Sequence, residues 1–374
     1  MNLTALVLQT IFWVLGFLFL IRVPRCPGTK KKVHNFPSVS VIIPTRNEEH
    51  RLPVLLSSLQ RQSLVPDEIL VIDESNDRTA EIACSMGATV IRCKTRPEDW
   101  LGKSWACYQG AGLAQGEILV FLDADTFLET NGLHNIVGTC IEKGNAVITV
   151  LPYHYTEKAY EQLSAFFNII MVGAMGTFTI LGELIKPLGL SGPCIALSKE
   201  LYLRSGGHFE VRNNLAEDLA WGERLKKMNI PVYCYGGKGS ISYRMYPQGI
   251  GQLIEGWSKN IAAGAVKTYI PLLLIIIAWI GGCIGATEYF IKALFHPDTV
   301  LSMLSIAVYF AFAFQLYWMF SRAGNFKLST AIIYPVPLLF FLLVFVYSFF
   351  QIFILKRVKW KGTTISLRNR GNKE

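Results

Sequence analysis

Apolar residues in this chain fall into two regimes. From residue 38 to about 260, short β-branched runs alternate with stretches of helical spacing, and long uncharged runs lie on either side. Val39-Ser40-Val41-Ile42-Ile43 reads as a strand stopped by Pro44, and Leu52 to Gln60 carries the spacing of an amphipathic helix. Glu68 to Ile72 predicts a second strand ending at Asp73, and Arg78 to Met86 a helix. Ala88 to Ile91 predicts a third strand, Trp105 to Ala114 a helix, and Ile118 to Leu122 a fourth strand. Such alternation predicts an α/β fold with a mostly parallel sheet, whose ligand crevice lies at the carboxyl ends of the strands. Pro44, Asp73 and Asp123 all fall at such ends.

The flanking runs change the picture from a soluble domain to a membrane protein. Leu3 to Ile21 is uncharged and of bilayer-spanning length. Arg22, Pro24, Arg25, Cys26 and Pro27 follow in place of a small-residue cleavage site, so an uncleaved anchor is expected. Arg22, Arg25, Lys30, Lys31 and Lys32 then place the N-terminus outside and the following region in the cytoplasm. The apolar segment 163–185 would, if it crossed, put Glu217 and Asp218 on the opposite side from Asp123 and Asp125. A helix at the membrane interface or lining an acceptor groove is expected there, with an ordinary core helix as the alternative. Residues 269–291, 299–320 and 329–355 are three further apolar segments. Were all three to span, the tail with Lys356, Arg357, Lys359 and Lys361 would end outside, against the charge rule. One is therefore expected to be re-entrant or interfacial, and Pro335 and Pro337 mark the last as the one to bend. The expected organisation is an anchor at 1–25, a catalytic domain at 38–260, a membrane region at 261–356 and a basic tail at 357–374.

Composition agrees with that reading. Of the 374 residues 51% are hydrophobic, and the mean hydropathy of +0.34 is high for a soluble enzyme. The formal charge of +9 collects beside the apolar runs, which favours anionic lipid headgroups as partners. No nucleic-acid module is recognisable, so nucleic acid is not an expected partner. The eight cysteines show neither CxxC pairing nor zinc spacing and read as free thiols in a reducing compartment.

Asp123-Ala124-Asp125 is the sharpest chemical signal. On a strand, side chains two apart share a face, so both carboxylates could aim at one point beyond its end. Mg²⁺ or Mn²⁺ suits such a pair plus substrate phosphates; a solvated turn is the plainer reading. Lys103, in a Gly-Lys-Ser turn before the helix near Trp105, could neutralise diphosphate oxygens together with helix N–H groups. The spacing is not that of a P-loop. Glu217-Asp218 gives the following helix a negative start. Arg244 and Lys259, among Tyr243, Tyr246 and Trp257, could pair with a diphosphate or a carboxylate, or form a basic aromatic stripe. His208 reads as structural rather than metal-binding.

These residues carry a resemblance. Val41 to Glu49, Val71 to Thr79, Gly102-Lys103-Ser104, Asp123-Ala124-Asp125 and Glu217-Asp218 occur in the order seen in family 2 glycosyltransferases of the GT-A fold, over about residues 38–260. Trp100 to Gly110, Tyr243 to Tyr246 and Glu255 to Trp257 resemble, more narrowly, the membrane glycosyltransferases that glucosylate a C30 carotenoid acid. The resemblance implies a GT-A nucleotide-diphospho-sugar transferase fold with N- and C-terminal transmembrane helices. It implies a UDP-sugar donor, a divalent metal (Mg or Mn) and a lipophilic acceptor. Carried over, Pro44, Thr45, Glu48 and Asp73 line the nucleotide site, and Asp73 accepts from the uracil N–H. Ile72 stands where many members have a first acid. Lys103 and Asp123 contact the donor, and Asp125 with Asp123 holds the metal. Glu217, Asp218 and Arg244 serve catalysis. The implied reaction is inverting transfer of glucose from UDP-glucose to the acid's carboxylate, giving a glycosyl ester. It implies a multi-pass cell-membrane enzyme with its catalytic domain in the cytoplasm, in contact with other carotenoid-pathway enzymes. A polyprenyl phosphate or other lipid acceptor is the nearest alternative. A non-catalytic nucleotide-binding membrane protein is the more distant one, and the intact acids speak against it. The processive Gln-x-x-Arg-Trp element is absent, which argues against a polysaccharide synthase.

Overall fold

The computed structural model describes residues 3–29, 36–214, 216–296, 300–360 and 363–366. Lys30, Lys31, Lys32 and Lys361, which entered the topology argument, lie outside them. The chain forms two compact units: Val23–Tyr153 with Lys186–Arg244, and Met1–Arg22 with His154–Ile185 and Met245–Glu374.

The first unit is a doubly wound α/β layer. Strands β1 (Val39–Thr45), β2 (Glu68–Asp73), β3 (Thr89–Arg92) and β4 (Ile118–Leu122) pair in parallel in the order β3-β2-β1-β4. Chain reversal enters with β8 (Cys194–Ser198), antiparallel to both β4 and β6 (Val147–Leu151). The edge strand β9 (Val232–Gly236) is parallel to β6. Between these lie the short strands β5 (Thr126–Leu128) and β7 (Tyr153–His154), and β10 (Ile241–Tyr243) pairs antiparallel with β5. Successive residues of a strand face opposite layers. Val41, Ile43, Val71 and Val120 enter one core with Leu52, Leu55 and Leu59 of α2 (Leu52–Gln60), Ala83 of α3 (Thr79–Ser85) and Ile136 of α5 (Gly132–Lys143). Ile42, Ile72, Leu119 and Phe121 enter the other with Ala106, Cys107 and Ala111 of α4 (Gly102–Leu113), Leu201 of α7 (Lys199–Ser205), and Trp221 and Leu225 of α8 (Glu217–Lys227). Strands covered on both faces are continuous apolar runs for this reason.

Two boundaries differ from expectation. Pro44 does not stop β1, which runs on to Thr45: beyond Ile42 it pairs only with β2, and a proline's missing N–H is tolerated there. Helix α4 begins at Gly102, three residues before Trp105, so Lys103 sits inside its first turn rather than in a preceding turn. Its amide end opposes a cation, and the acids described below compensate.

The second unit is helical. It comprises α1 (Leu3–Phe19), α6 (Ala165–Ala174), α9 (Ile250–Lys267), α10 (Ile270–Phe295), α11 (Val300–Ala323), α12 (Leu328–Ile332) and α13 (Pro335–Phe349). Among the described residues three helices, Ile270–Phe295, Val300–Ala323 and Pro335–Ile354, are long and apolar enough to cross a membrane. The 17-residue α1 is shorter, spanning about 25 Å at 1.5 Å per residue. It is nonetheless built into the bundle. Trp279 Nε1 donates to Gln315 Oε1 at 2.9 Å, Gln315 Nε2 donates to the Trp13 carbonyl at 2.6 Å, and Trp13 Nε1 donates to the Ala311 carbonyl at 3.0 Å. The last apolar segment is broken at Ile333–Tyr334, and Pro335 opens α13 in its first turn, where its missing N–H costs nothing. Only ten residues of 163–185 form α6, too few to span, and Phe166, Phe167 and Ile169 on it are fully buried.

Candidate active site

The loops after β1 and β2 lace into each other. The Asn47 amide donates to Ser75 Oγ at 2.8 Å, Asn47 Oδ1 accepts from the Asn76 amide at 3.0 Å, and the Glu48 amide donates to Thr79 Oγ1 at 2.9 Å. Asn47 takes a left-handed φ of 57°, which asparagine tolerates better than most residues. In-register pairing sets Thr45 beside Asp73 and Asp73 beside Arg92. Thr45 Oγ1 donates to Asp73 Oδ1 at 2.9 Å, and Arg92 closes over Oδ2 while also donating to the Ser75 carbonyl at 2.9 Å. The Asp73 side chain is 0% exposed and that of Arg92 62%, so the guanidinium is the member that meets solvent.

Asp123, Ala124 and Asp125 lie after the last residue of β4 and before β5, in a turn. The period-two premise of the strand does not apply to them on that account, and the two carboxylates find different ion-pair partners. Asp123 receives Lys103 Nζ at 2.8 Å on Oδ1 and 3.1 Å on Oδ2. Asp125 Oδ2 lies 3.7 Å from Arg51 Nη1, which also stands 3.5 Å from Glu48. Backbone bonds fix the turn: the Asp123 amide donates to the Pro193 carbonyl at 3.1 Å, and the Arg244 amide donates to the Asp125 carbonyl at 3.2 Å.

Electrostatics tie these groups together. Burial, and then the neighbouring Asp123, push the Asp125 carboxyl up to about 7, with Arg51 opposing. Burial also raises Glu217, with Lys103 opposing. For Lys103 burial works against the charge, but Asp123 and Glu217, the latter 3.5 Å away, outweigh it and hold the ammonium well above its usual range. Among the described residues no three His, Cys, Asp or Glu side chains converge as a self-sufficient metal cage. The donor set suits a cation completed by substrate oxygens: Asp123 and Asp125 crowd each other's charge, a conflict that a divalent ion relieves.

Helix α8 brings the remaining acids. Asp218 Oδ2 accepts from the Gly192 amide at 3.1 Å and Oδ1 from the Leu219 amide at 2.8 Å. A small cavity of about 10 Å³ is lined by residues including Pro44, Lys103, Asp123, Gly192, Asp218 and Trp221, with Glu217 and His208 on its wall. His208 stands 3.1 Å from the Tyr202 hydroxyl, and burial lowers it to about 3. Tyr246 and Trp257 belong to the helical unit, where Trp257 stacks on Phe167 at 4.8 Å and donates to Ser164.

Gly192, Arg51, Arg92 and Trp221 were not singled out from sequence. Gly192 stands where a Cβ would lie 2.9 Å from Lys103 Nζ and 3.1 Å from Asp218 Oδ2. Gly192→Ala is therefore expected to leave thermal stability nearly unchanged, because a lysine tip can move. It is expected to cut turnover about ten- to a hundredfold by displacing both groups, read as kcat beside a melting curve.

The comparisons extend this geometry. Residues 40–202 match Glycosyl transferase family 2. A 4,4'-diaponeurosporenoate glycosyltransferase of Staphylococcus haemolyticus is 35% identical over 343 residues, 91% of either chain. The enzyme of that name from Staphylococcus aureus is 32% identical over 342 residues, again 91% of each. A mannosyltransferase from Pyrobaculum calidifontis, solved with GDP-Man and Mn²⁺, aligns over 92% of this chain and 96% of its own at a TM-score of 0.53 and 16% identity, a likeness of fold. The α/β unit is thus a GT-A fold, and this chain, a hexosyltransferase, belongs to glycosyl transferase family 2.

Proposed function

We propose that the protein transfers glucose from UDP-glucose to the carboxylate of a C30 carotenoid acid, with inversion, giving a glycosyl ester. The full-length likeness to the diaponeurosporenoate enzymes supports the acceptor. One observation supports the chemistry best: Lys103 joins Asp123 to Glu217 at the sheet edge where Asp218 also lies.

In this reading Pro44, Thr45, Glu48 and Asp73 bind the nucleoside, with the exposed Arg92 side chain moving aside for the base to reach Asp73. Asp125 with Asp123 would hold Mg²⁺ or Mn²⁺, which offsets negative charge on the departing diphosphate. Lys103 faces the diphosphate and, with the backbone of Arg244, keeps the two aspartates in place. The acceptor's carboxylate oxygen bonds to the anomeric carbon as the bond to the diphosphate breaks, and UDP leaves. A hydroxyl acceptor would need a base, but a carboxylic acid of pKa near 4 is already ionised at neutral pH. Asp218 therefore has an orienting task, shared with Glu217 and Arg244, and Asp218→Asn is expected to cost less than the loss of Asp125. The apolar helices tether the catalytic unit to the cell membrane, on the cytoplasmic side, where an insoluble polyene and other enzymes of its pathway are met.

Membranes containing the protein, given labelled UDP-glucose with and without the carotenoid acid, test this. Label in a glycosyl ester only when the acid is present supports the reading. Label in a lipid fraction regardless of the acid overturns the acceptor and points to a polyprenyl phosphate or another lipid.

A further inference from the structure

We propose that the cavity beside Asp123 is a single-oxygen site, in which Trp221 Nε1 donates to the oxygen of a hydroxyl of the transferred hexose or of a resident water. Trp221 lies three residues after Asp218 on α8 and is 0% exposed. Its ring is held by His208 at 4.8 Å, Tyr202 at 5.7 Å and Phe121 at 6.5 Å. Packing of this kind fixes the direction of the indole N–H. Yet among the described residues nothing accepts from Nε1. A buried donor left without an acceptor is destabilising, and an orphan in a packed core calls for a completing ligand or water.

The cavity that Trp221 lines has the right size and chemistry. At about 10 Å³ the cavity holds about one water-sized atom. Its wall includes Asp123, Lys103, Gly192 and Asp218, so an oxygen there meets both a donor and charged groups. Helix α8 packs backbone to backbone against the segment around Gly189. A Cβ on Gly222 would fall 2.5 Å from the Gly189 Cα, and a Cβ on Gly189 2.7 Å from the Leu219 Cα, so the two backbones already touch. The hexose source rests on the donor reading above, because the same wall carries the proposed donor contacts; the water source does not.

The test replaces Trp221 with Phe, and separately with benzothienylalanine, which keeps the indole shape and puts sulfur where the N–H was. The wild type and both variants are assayed with UDP-glucose and with the series of singly deoxygenated UDP-glucoses. If a sugar hydroxyl fills the site, both variants lose about tenfold in kcat/KM with UDP-glucose, and the loss vanishes for one deoxy donor alone. If water fills it, the loss is equal for every donor. A crystal structure of the wild type then shows an oxygen within hydrogen-bonding distance of Nε1 that is missing from the sulfur isostere. An isostere equal to wild type with every donor, with no oxygen at Nε1 in the wild-type crystal, overturns the proposal. A wild type that turns over no UDP-glucose overturns the donor reading instead, and the density at Nε1 alone then decides the site.

Discussion

Asp125→Asn is expected to lower kcat/KM by about a thousandfold or more, while the melting temperature measured without added divalent metal stays unchanged or rises. Several kcal/mol of transition-state charge stabilisation depend on a correctly placed cation, and about 1.4 kcal/mol is a factor of ten. Asparagine keeps the shape of the side chain and removes the charge. The folded protein resists that charge: burial and Asp123 push the Asp125 carboxyl up to about 7. Arg51 loses a partner at 3.7 Å but retains Glu48 at 3.5 Å. Function and stability are thus opposed at this position, as they commonly are where like charges are gathered for a ligand. Activity of the variant within tenfold of wild type, with or without a chelator, would remove Asp125 from the proposed metal site.

The same turn shows what sequence could and could not convey. The β1, β2 and β4 strands were legible because both their faces are buried, which leaves runs such as Ile118 to Leu122 without polar interruption. Strand ends then located Pro44, Asp73 and Asp123 at one sheet edge. The direction of each carboxylate was not legible, since residues 123–125 form a turn and the period-two rule stops at Leu122. The start of α4 differs for a related reason. Gly102-Lys103-Ser104 reads as a turn before a helix near Trp105, but α4 begins at Gly102, where tertiary ties outweigh glycine's poor helix propensity. The Lys103 ammonium gains Asp123 and Glu217, and the Leu101 amide donates to the Arg212 carbonyl at 2.8 Å. Trp221 did leave a signal: it is three residues from Asp218, on the same face of a helix. Gly192 left none, because its role is the absence of a side chain beside groups far away in sequence.

Lys103→Met is expected to lower kcat by about a hundredfold or more and the melting temperature by a few degrees. Methionine keeps much of the length of the stem but leaves Asp123 and Glu217 without the cation that sat 2.8 Å from one and 3.5 Å from the other. Breaking a deeply buried pair costs about 3–5 kcal/mol, but these side chains are 34%, 28% and 14% exposed. Solvent screening reduces the expected cost to about 1–2 kcal/mol. The activity loss is larger in relative terms because Lys103 is proposed both to position Asp123 and to face the diphosphate. A second substitution separates the two contributions. Glu217→Gln added to Lys103→Met removes one of the stranded acids, so the double variant should regain part of the lost stability and none of the lost turnover. Melting curves and kcat for the four proteins of that cycle decide it. If turnover returned along with stability, Lys103 would be only a counter-charge for Glu217, and its place at the donor diphosphate would be wrong.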